Sequence, residues 1–509
     1  MLRRGILAAA IVFAIAAVSL SAPARASDET SVAERIATVT GAPEFAGARW
    51  GIHAVALDTG ETIASVDASR LFVPASNMKL YTTALALARL GPSYRWRTSV
   101  YVMAKPDAAG TVRGDLVVYG RGDPTMSERF SSGGALADVE LLADRIHAAG
   151  VRRVDGDLVG DESYFVGVRF GYGWEWNDLQ WGYGAEVSAL SVADNVFTLE
   201  IAPGARAGAA GLVRVTPSNG YLTLTNRSRT VPKEAEPKLG IYRAEGSNAV
   251  DVWGSLPAGS SPTTATVAVH DPAAHFAHLL RGALARRHVE VRGKTTSADA
   301  RLRELRPFDT SRAIEVAHVE SEPLADVIRE TNKESQNLYA ELLLRTVGRV
   351  RGPADAESTE AAGIAVLREF LEEAGVDPES VALADGSGLS RRDLVTPEAT
   401  VKLLVHARRQ PWSSIFFSSL PEAGLDGTLG RRFKETEAVG RVRAKTGTRD
   451  GVSSLAGYLV TKSNRPIAFA VMVNNATGPV RGVREAIDAV VLALLEAPAR
   501  KTSPATQSG

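Results

Sequence analysis

Residues 73–90 read Val73-Pro-Ala-Ser76-Asn-Met-Lys79-Leu-Tyr-Thr-Thr-Ala-Leu-Ala-Leu-Ala-Arg-Leu90. The stretch has the start and stop of a helix. Pro74 and Ser76 stand at the opening, where a proline and a small polar residue are tolerated. Gly91-Pro92 closes it, a glycine followed by a residue that cannot continue a helix. Apolar residues run nearly all the way round, which predicts a buried helix. A buried helix does not hold a lysine near its start without a reason, because burying a charge is costly. Ser76 and Lys79 are spaced to share one face. The helix N-terminus favours an alkoxide at Ser76. A desolvated Lys79 loses its charge near neutral pH and can take the serine proton. Ser-x-x-Lys alone is a weak signal, because Ser76 could be only a cap and Lys79 only a snorkelling side chain.

Two further patterns strengthen it. Ser335-Gln336-Asn337 opens the expected helix Glu334-Ser-Gln-Asn-Leu-Tyr-Ala-Glu-Leu-Leu-Leu-Arg345, and Lys445-Thr446-Gly447-Thr448 ends an expected strand. Ser-x-x-Lys, Ser-x-Asn and Lys-Thr-Gly in that order resemble the motif set of the active-site serine penicillin-recognising enzymes.

The chain has 509 residues, 45% of them apolar, a formal net charge of zero and no cysteine. The length allows several domains. The charge gives no sign of a nucleic-acid binder. The missing cysteine excludes a thiol nucleophile, a disulfide and a thiolate metal site. Residues 1–26 read as a secretory signal: Arg3-Arg4, an apolar run to Leu20, and Ala24-Arg25-Ala26 before cleavage at Ser27. The expected mature protein is exported to the periplasm, with at most peripheral membrane contact.

A first helix is expected over 28–40, on Val32, Ala33, Ile36 and Ala37. Strands are expected at 50–57 and 61–66 around the turn Asp58-Thr59-Gly60, and at 439–445, 454–461 and 466–474. Val483, Ile487, Val490, Val491, Leu494 and Leu495 mark a last helix, and 498–509 reads as a disordered polar tail. The N-terminal hairpin and C-terminal strands can share one antiparallel sheet with the terminal helices on a face. Between Ser76 and Ser335 lies more chain than a compact helical subdomain needs. Residues 97–267 are strand-like and glycine-rich, 254–264 reads as a boundary loop, and Asp271-Pro272 opens a helix bearing Phe276, Leu279, Leu280, Ala283 and Leu284. The middle therefore reads as a large, mostly β insert.

With these residues in hand, the chain resembles the D-alanyl-D-alanine carboxypeptidase/endopeptidase family typified by penicillin-binding protein 4, the class C low-molecular-mass penicillin-binding proteins. Beyond the three motifs, the resemblance rests on Gly120-Arg-Gly-Asp-Pro-Thr125, Tyr183-Gly-Ala-Glu-Val-Ser-Ala-Leu-Ser191 with Asp194-Asn195, Asp385-Gly-Ser-Gly-Leu-Ser390 and the long insert. One departure is Gln336, where many relatives in the wider superfamily have Asp. The resemblance implies an α+β fold: a serine β-lactamase/DD-peptidase-like transpeptidase domain, an antiparallel sheet flanked by helices, carrying a mostly β insert of two small nested domains. The expected division is 27–96 plus 269–497 for the catalytic domain, 97–115 plus 192–268 for the outer inserted domain, and 116–191 nested within it.

The resemblance also implies roles. Ser76 is the nucleophile and Lys79 its base, with the backbone N–H groups of Ser76 and Thr448 as oxyanion hole. Ser335 relays the proton to the departing amine. Asn337 bonds the peptide amide and orients Lys79. Lys445 keeps the site positive and Lys79 neutral, and anchors the substrate carboxylate with Thr446 and Thr448. Gly447 is expected to let substrate approach the strand. Implied partners are peptidoglycan stem peptides, with β-lactams as covalent inhibitors. No cofactor, metal or nucleic acid is expected. The insert is expected to shape access and bind the stem, leaving the chemistry to residues outside it.

His270, His275 and His278 lie close together but lack a completing carboxylate or cysteine, so they read as ordinary helix residues. Tyr172, Trp174, Trp176, Trp181 and Tyr183 read as core or domain contact. A β-lactamase and a catalytically dead wall-binding homologue are the rival readings. The insert and the Asp385 segment argue against the first, and the complete motif set against the second.

Overall fold

The computed structural model describes residues 31–218 and 220–499. The signal segment 1–26 and the tail beyond 499 lie outside the described residues. The N-terminal hairpin and C-terminal strands do meet in one sheet. Its order is Val442–Arg449, Val452–Val460, Pro466–Asn474, Arg49–Ala56 and Thr62–Val66, antiparallel throughout. Both faces are covered, so the central strands are apolar on both sides. One face, with Trp50, Ile52, Phe469 and Val471, packs on Val32–Thr40 and Val480–Leu495. The other, with Ala456, Ala468, Ala470 and Met472, packs on Met78–Leu90 and Pro397–Arg408. Met78 through Leu87 are all buried, which fits the apolar residues spaced around that helix. Each large apolar side chain buried there stabilises by about 1.5–3 kcal/mol, which helps offset the cost of enclosing Lys79.

The insert is organised differently from the sequence expectation. Leu116–Tyr119 and Leu158–Asp161 are not in a nested domain of their own. They are interior strands of a five-stranded sheet ordered Thr295–Ala298, Leu158–Asp161, Leu116–Tyr119, Arg97–Val102, Ile314–Glu320. The pairing of Leu158–Asp161 is parallel to both neighbours, which requires crossover connections rather than hairpins. Helices Ala137–Ala148 and Pro272–Arg286 supply them and share its core through Leu142, Ile146, Phe276 and Leu280. So 272–320, expected in the catalytic domain, belongs to the insert, and the outer unit is α/β rather than mostly β. The nested unit is all-β and runs from Val196 to Ala268, as two three-stranded sheets around Phe197, Leu199, Ile201, Val250 and Val252. Among the described residues no helix is long and apolar enough to cross a membrane.

Candidate active site

Ser76 stands in a single 3₁₀ turn, Ala75–Asn77, and the α-helix begins at Met78. Its hydroxyl makes no cap bond to the helix, so the capping reading falls away. Ala75 is in the left-handed region at φ 47, and Ser335 at φ 63. Such backbone costs about 1–3 kcal/mol per residue and persists where packing dictates it. Asn77 Nδ2 donates to the Lys445 carbonyl at 2.7 Å, which pins the nucleophile turn to the edge strand. That strand, Val442–Arg449, contains the whole Lys-Thr-Gly motif instead of ending at it.

Lys79 is fully buried. Its Nζ lies 3.0 Å from Ser76 Oγ, 2.6 Å from Asn337 Oδ1 and 2.7 Å from the Ser387 carbonyl. The last two atoms can only accept. A neutral amine has two N–H bonds and one lone pair, so satisfying both acceptors leaves the lone pair for the Ser76 hydroxyl. Burial lowers the Lys79 pKa to about 7, against the opposing pull of Asp385, Glu341 and Asp393. Asn337 Nδ2 donates at 2.8 Å to the Tyr183 carbonyl, which fixes the amide orientation that presents Oδ1 to Lys79.

Lys445 is equally buried. It donates to Ser335 Oγ and to the Thr446 carbonyl, each at 2.9 Å. Burial first and the Lys79 charge second hold its pKa well below the lysine range. Desolvation, expected for a lysine on a buried helix, is the leading cause of the lowered Lys79 pKa, and the Lys79 charge in turn disfavours the charged form of Lys445. Thr446 Oγ1 bonds Thr428 Oγ1 at 2.8 Å, and Arg484 Nη2 donates to Thr448 Oγ1 at 3.1 Å.

Gly447 also has a packing reason of its own. A Cβ there would strike Ser454 Oγ, lie 2.6 Å from the Pro74 carbonyl and stand 3.1 Å from Ser76 N. The glycine lets the strand close on the nucleophile turn. Gly447→Ala should therefore push the two apart. We expect penicillin acylation to slow by about 100-fold and the fold to lose about 1–3 kcal/mol. Acylation kinetics beside thermal melting would check this, and wild-type acylation would disprove it.

Ser76 lines two adjoining clefts of ≈ 480 and ≈ 400 Å³. The first is basic, with Arg431, Arg432, Arg484, Thr428, Thr446 and Thr448. The second is walled by the insert through Glu175, Asp178 and Tyr183. Arg449, one residue beyond Thr448, bonds Glu175 at 2.7 Å and Asp178 at 3.0 Å. All eight residues read from the three motifs thus meet at one place.

The profile of the D-Ala-D-Ala carboxypeptidase 3 (S13) family matches residues 32–494. The chain belongs to this family. D-alanyl-D-alanine carboxypeptidase of Actinomadura sp. (strain R39) is 37% identical over 88% of this chain and 82% of its own. D-alanyl-D-alanine carboxypeptidase DacB of Haemophilus influenzae is 27% identical over 84% of this chain and 86% of its own. The crystal structure of penicillin binding protein 4 (dacB) from Haemophilus influenzae superposes with a TM-score of 0.75 at 24% identity, covering 90% of this chain and 98% of that one.

Within this S13 chain the structure adds residues that the sequence reading missed. The Tyr183 and Ser387 carbonyls lie in two segments noted only for the family resemblance, and as backbone groups they gave no sign of their bonds to Asn337 and Lys79. Arg484 lies on the last helix, in a segment read only for its apolar stripe. The insert supplies the carbonyl that orients Asn337, so its separation from the chemistry does not hold. Of the aromatic group, Trp174 is packed as expected, but Trp176 is 74% and Tyr172 60% exposed. Among the described residues no three His, Cys, Asp or Glu side chains gather as a metal site. His270 instead bonds Glu186 at 2.8 Å, and His275 is buried with its pKa lowered to about 3.

Proposed function

We propose that this protein is a serine DD-peptidase of peptidoglycan, acting through an acyl-enzyme on Ser76. The observation that carries the reading is the Lys79 contact set, which leaves a lone pair only for Ser76. Ser76 Oγ attacks the carbonyl of the penultimate D-alanine, and its proton passes to Lys79 Nζ. The oxyanion rests on the backbone N–H groups of Ser76 and Thr448, as the family resemblance implies. The C–N bond then breaks, and the proton held by Lys79 passes through Ser335, whose oxygen also accepts from Lys445, to the departing amine, which leaves Lys79 neutral. Water attacks the ester with Lys79 again as base, and Ser76 is released. Thr446, Thr448 and Lys445 hold the terminal carboxylate on the basic side of the cleft, and Asn337 holds the acyl-side amide.

Substrates are stem peptides ending in D-Ala-D-Ala and the D-Ala to diamino-acid cross-links, whose leaving amine also adjoins a carboxylate. β-Lactams acylate Ser76 and leave slowly. The site of action is the periplasm, reached by cleavage before Ser27. Release of D-alanine from a D-Ala-D-Ala peptide, with one penicillin adduct by intact mass, is the expected result. Rapid hydrolysis of penicillin would make the protein a β-lactamase instead. Absence of both adduct and D-alanine release would overturn the reading.

A further inference from the structure

The turn Asp385-Gly-Ser-Gly-Leu-Ser390 takes no part in bond making, yet it touches the base and the turn that carries the nucleophile. Its Ser387 carbonyl accepts from Lys79, and Gly388, at φ 77, sits so close to the Ala75 carbonyl that a Cβ would overlap it. The Asp385 carboxylate shapes the turn. One oxygen accepts from Ser387 N at 3.0 Å and Gly388 N at 2.6 Å. The other accepts from Ser390 N at 2.8 Å, Ser387 Oγ at 3.2 Å and Trp174 Nε1 at 2.9 Å. Asp385 is fully buried, so no water substitutes for these donors. We infer that Asp385 is a positioning residue for the base, holding the Ser387 carbonyl on Lys79, and that Trp174 of the insert in turn holds Asp385.

The lone pair of Lys79 points at Ser76 only while both other positions on Nζ are taken by acceptors. Asn337 supplies one and Ser387 the other. A carbonyl is aimed only as well as the peptide that bears it, and Asp385 fixes that peptide through the N–H groups of Ser387 and Gly388. The loop carrying Trp174 is itself seated on the turn. A Cβ on Gly173 would lie 2.8 Å from Ser390 Oγ and 2.8 Å from Arg392 Cδ, and Trp174 packs on Phe170 at 6.3 Å between ring centroids. The insert thereby grips the base from two sides, through the Tyr183 carbonyl on Asn337 and through Trp174 on Asp385.

Charged groups facing Lys79 come from every packed element: Glu341 from the Asn337–Arg351 helix, Asp385 and Asp393 from this loop, and Lys445 from the edge strand. Burial raises the Glu341 carboxyl to about 8 and that of Asp393 well above its usual range. Asp385 leads the carboxylates that favour protonated Lys79.

This inference rests on the reading of Lys79 as base. The test is single-turnover acylation by penicillin across pH, on the full chain, for wild type, Asp385→Asn and Trp174→Phe, each with a melting curve. Asp385→Asn places an amide N–H₂ against N–H donors and should lower the acylation rate constant about 100-fold, with initial penicillin binding changed less than about twofold. Its acid limb should move to lower pH, because the leading carboxylate favouring protonated Lys79 is gone. Trp174→Phe keeps the ring and loses the donor. It should acylate about tenfold slower while staying fully folded at the assay temperature, with a melting temperature only slightly lowered. Wild-type rates in both variants, or an Asp385→Asn loss that follows only the unfolded fraction with the limb unmoved, would overturn the inference. If Asp385→Asn does not fold, Trp174→Phe decides alone. A wild type that takes no penicillin would instead overturn the functional reading.

Discussion

Ser76→Ala should leave the protein folded and wholly without a penicillin adduct. Its intact mass should stay unshifted under conditions that label the wild type completely, and D-alanine release should fall on the order of 10⁴-fold or more. The side chain is half-buried at the junction of the two clefts, makes no cap bond, and meets Lys79 Nζ at 3.0 Å. Removing one hydroxyl there should cost less than about 1 kcal/mol of stability. A labelled Ser76→Ala protein would show that another residue takes the acyl group.

Lys79→Ala should slow acylation on the order of 10³-fold, the range for loss of a general base. The wild-type pH profile supplies an independent readout. Lys79 must be neutral to accept the proton, and its pKa lies near 7 through burial. Acylation should therefore level off above about pH 7 and fall about tenfold per pH unit below it. The same group also ties stability to pH. Its folded pKa lies below the unfolded value of about 10.4, so between about pH 7 and 10 the unfolded chain holds one more proton than the folded one. The sign is positive: wild type should gain on Lys79→Ala by about 1.4 kcal/mol per pH unit through that window. A flat difference there would mean that Lys79 stays charged in the folded protein, and would count against its role as base.

Which parts of this structure were legible in the sequence follows from how local their causes are. The nucleophile helix was legible because its apolar spacing, its stop at Gly91-Pro92 and its misplaced lysine lie within twenty residues. The catalytic sheet was legible because its five strands are long enough to carry a pattern. The insert was not, because Leu116–Tyr119 and Leu158–Asp161 are four residues each, and their partner Thr295–Ala298 lies beyond the whole all-β unit. Side chains announce themselves by type and spacing, so Ser76, Lys79, Ser335, Asn337 and Lys445 were found. The carbonyls of Ser387 and Tyr183 belong to the backbone and are aimed only by tertiary packing. Gly447 was legible as a motif residue, but its packing against Pro74 and Ser454 was not, since only the structure brings them against it.

The strand order also dictates when the enzyme becomes competent during vectorial synthesis. Arg49–Ala56 pairs with Pro466–Asn474 from the far end of the chain, Trp50 opposite Val473. The nucleophile turn is likewise pinned by Lys445. The insert has the opposite habit: it begins on Arg97–Val102 and ends on Ile314–Glu320, which pair with each other. Its own sheet can close while the last catalytic strands are still unmade, whereas contacts spanning nearly the whole chain form late and slowly. A nascent chain stopped before Lys445 would carry the complete insert and the nucleophile, yet lack the edge strand against which that nucleophile is set. The hydrolase should in this way stay silent until its final strands arrive, a timing written into connectivity.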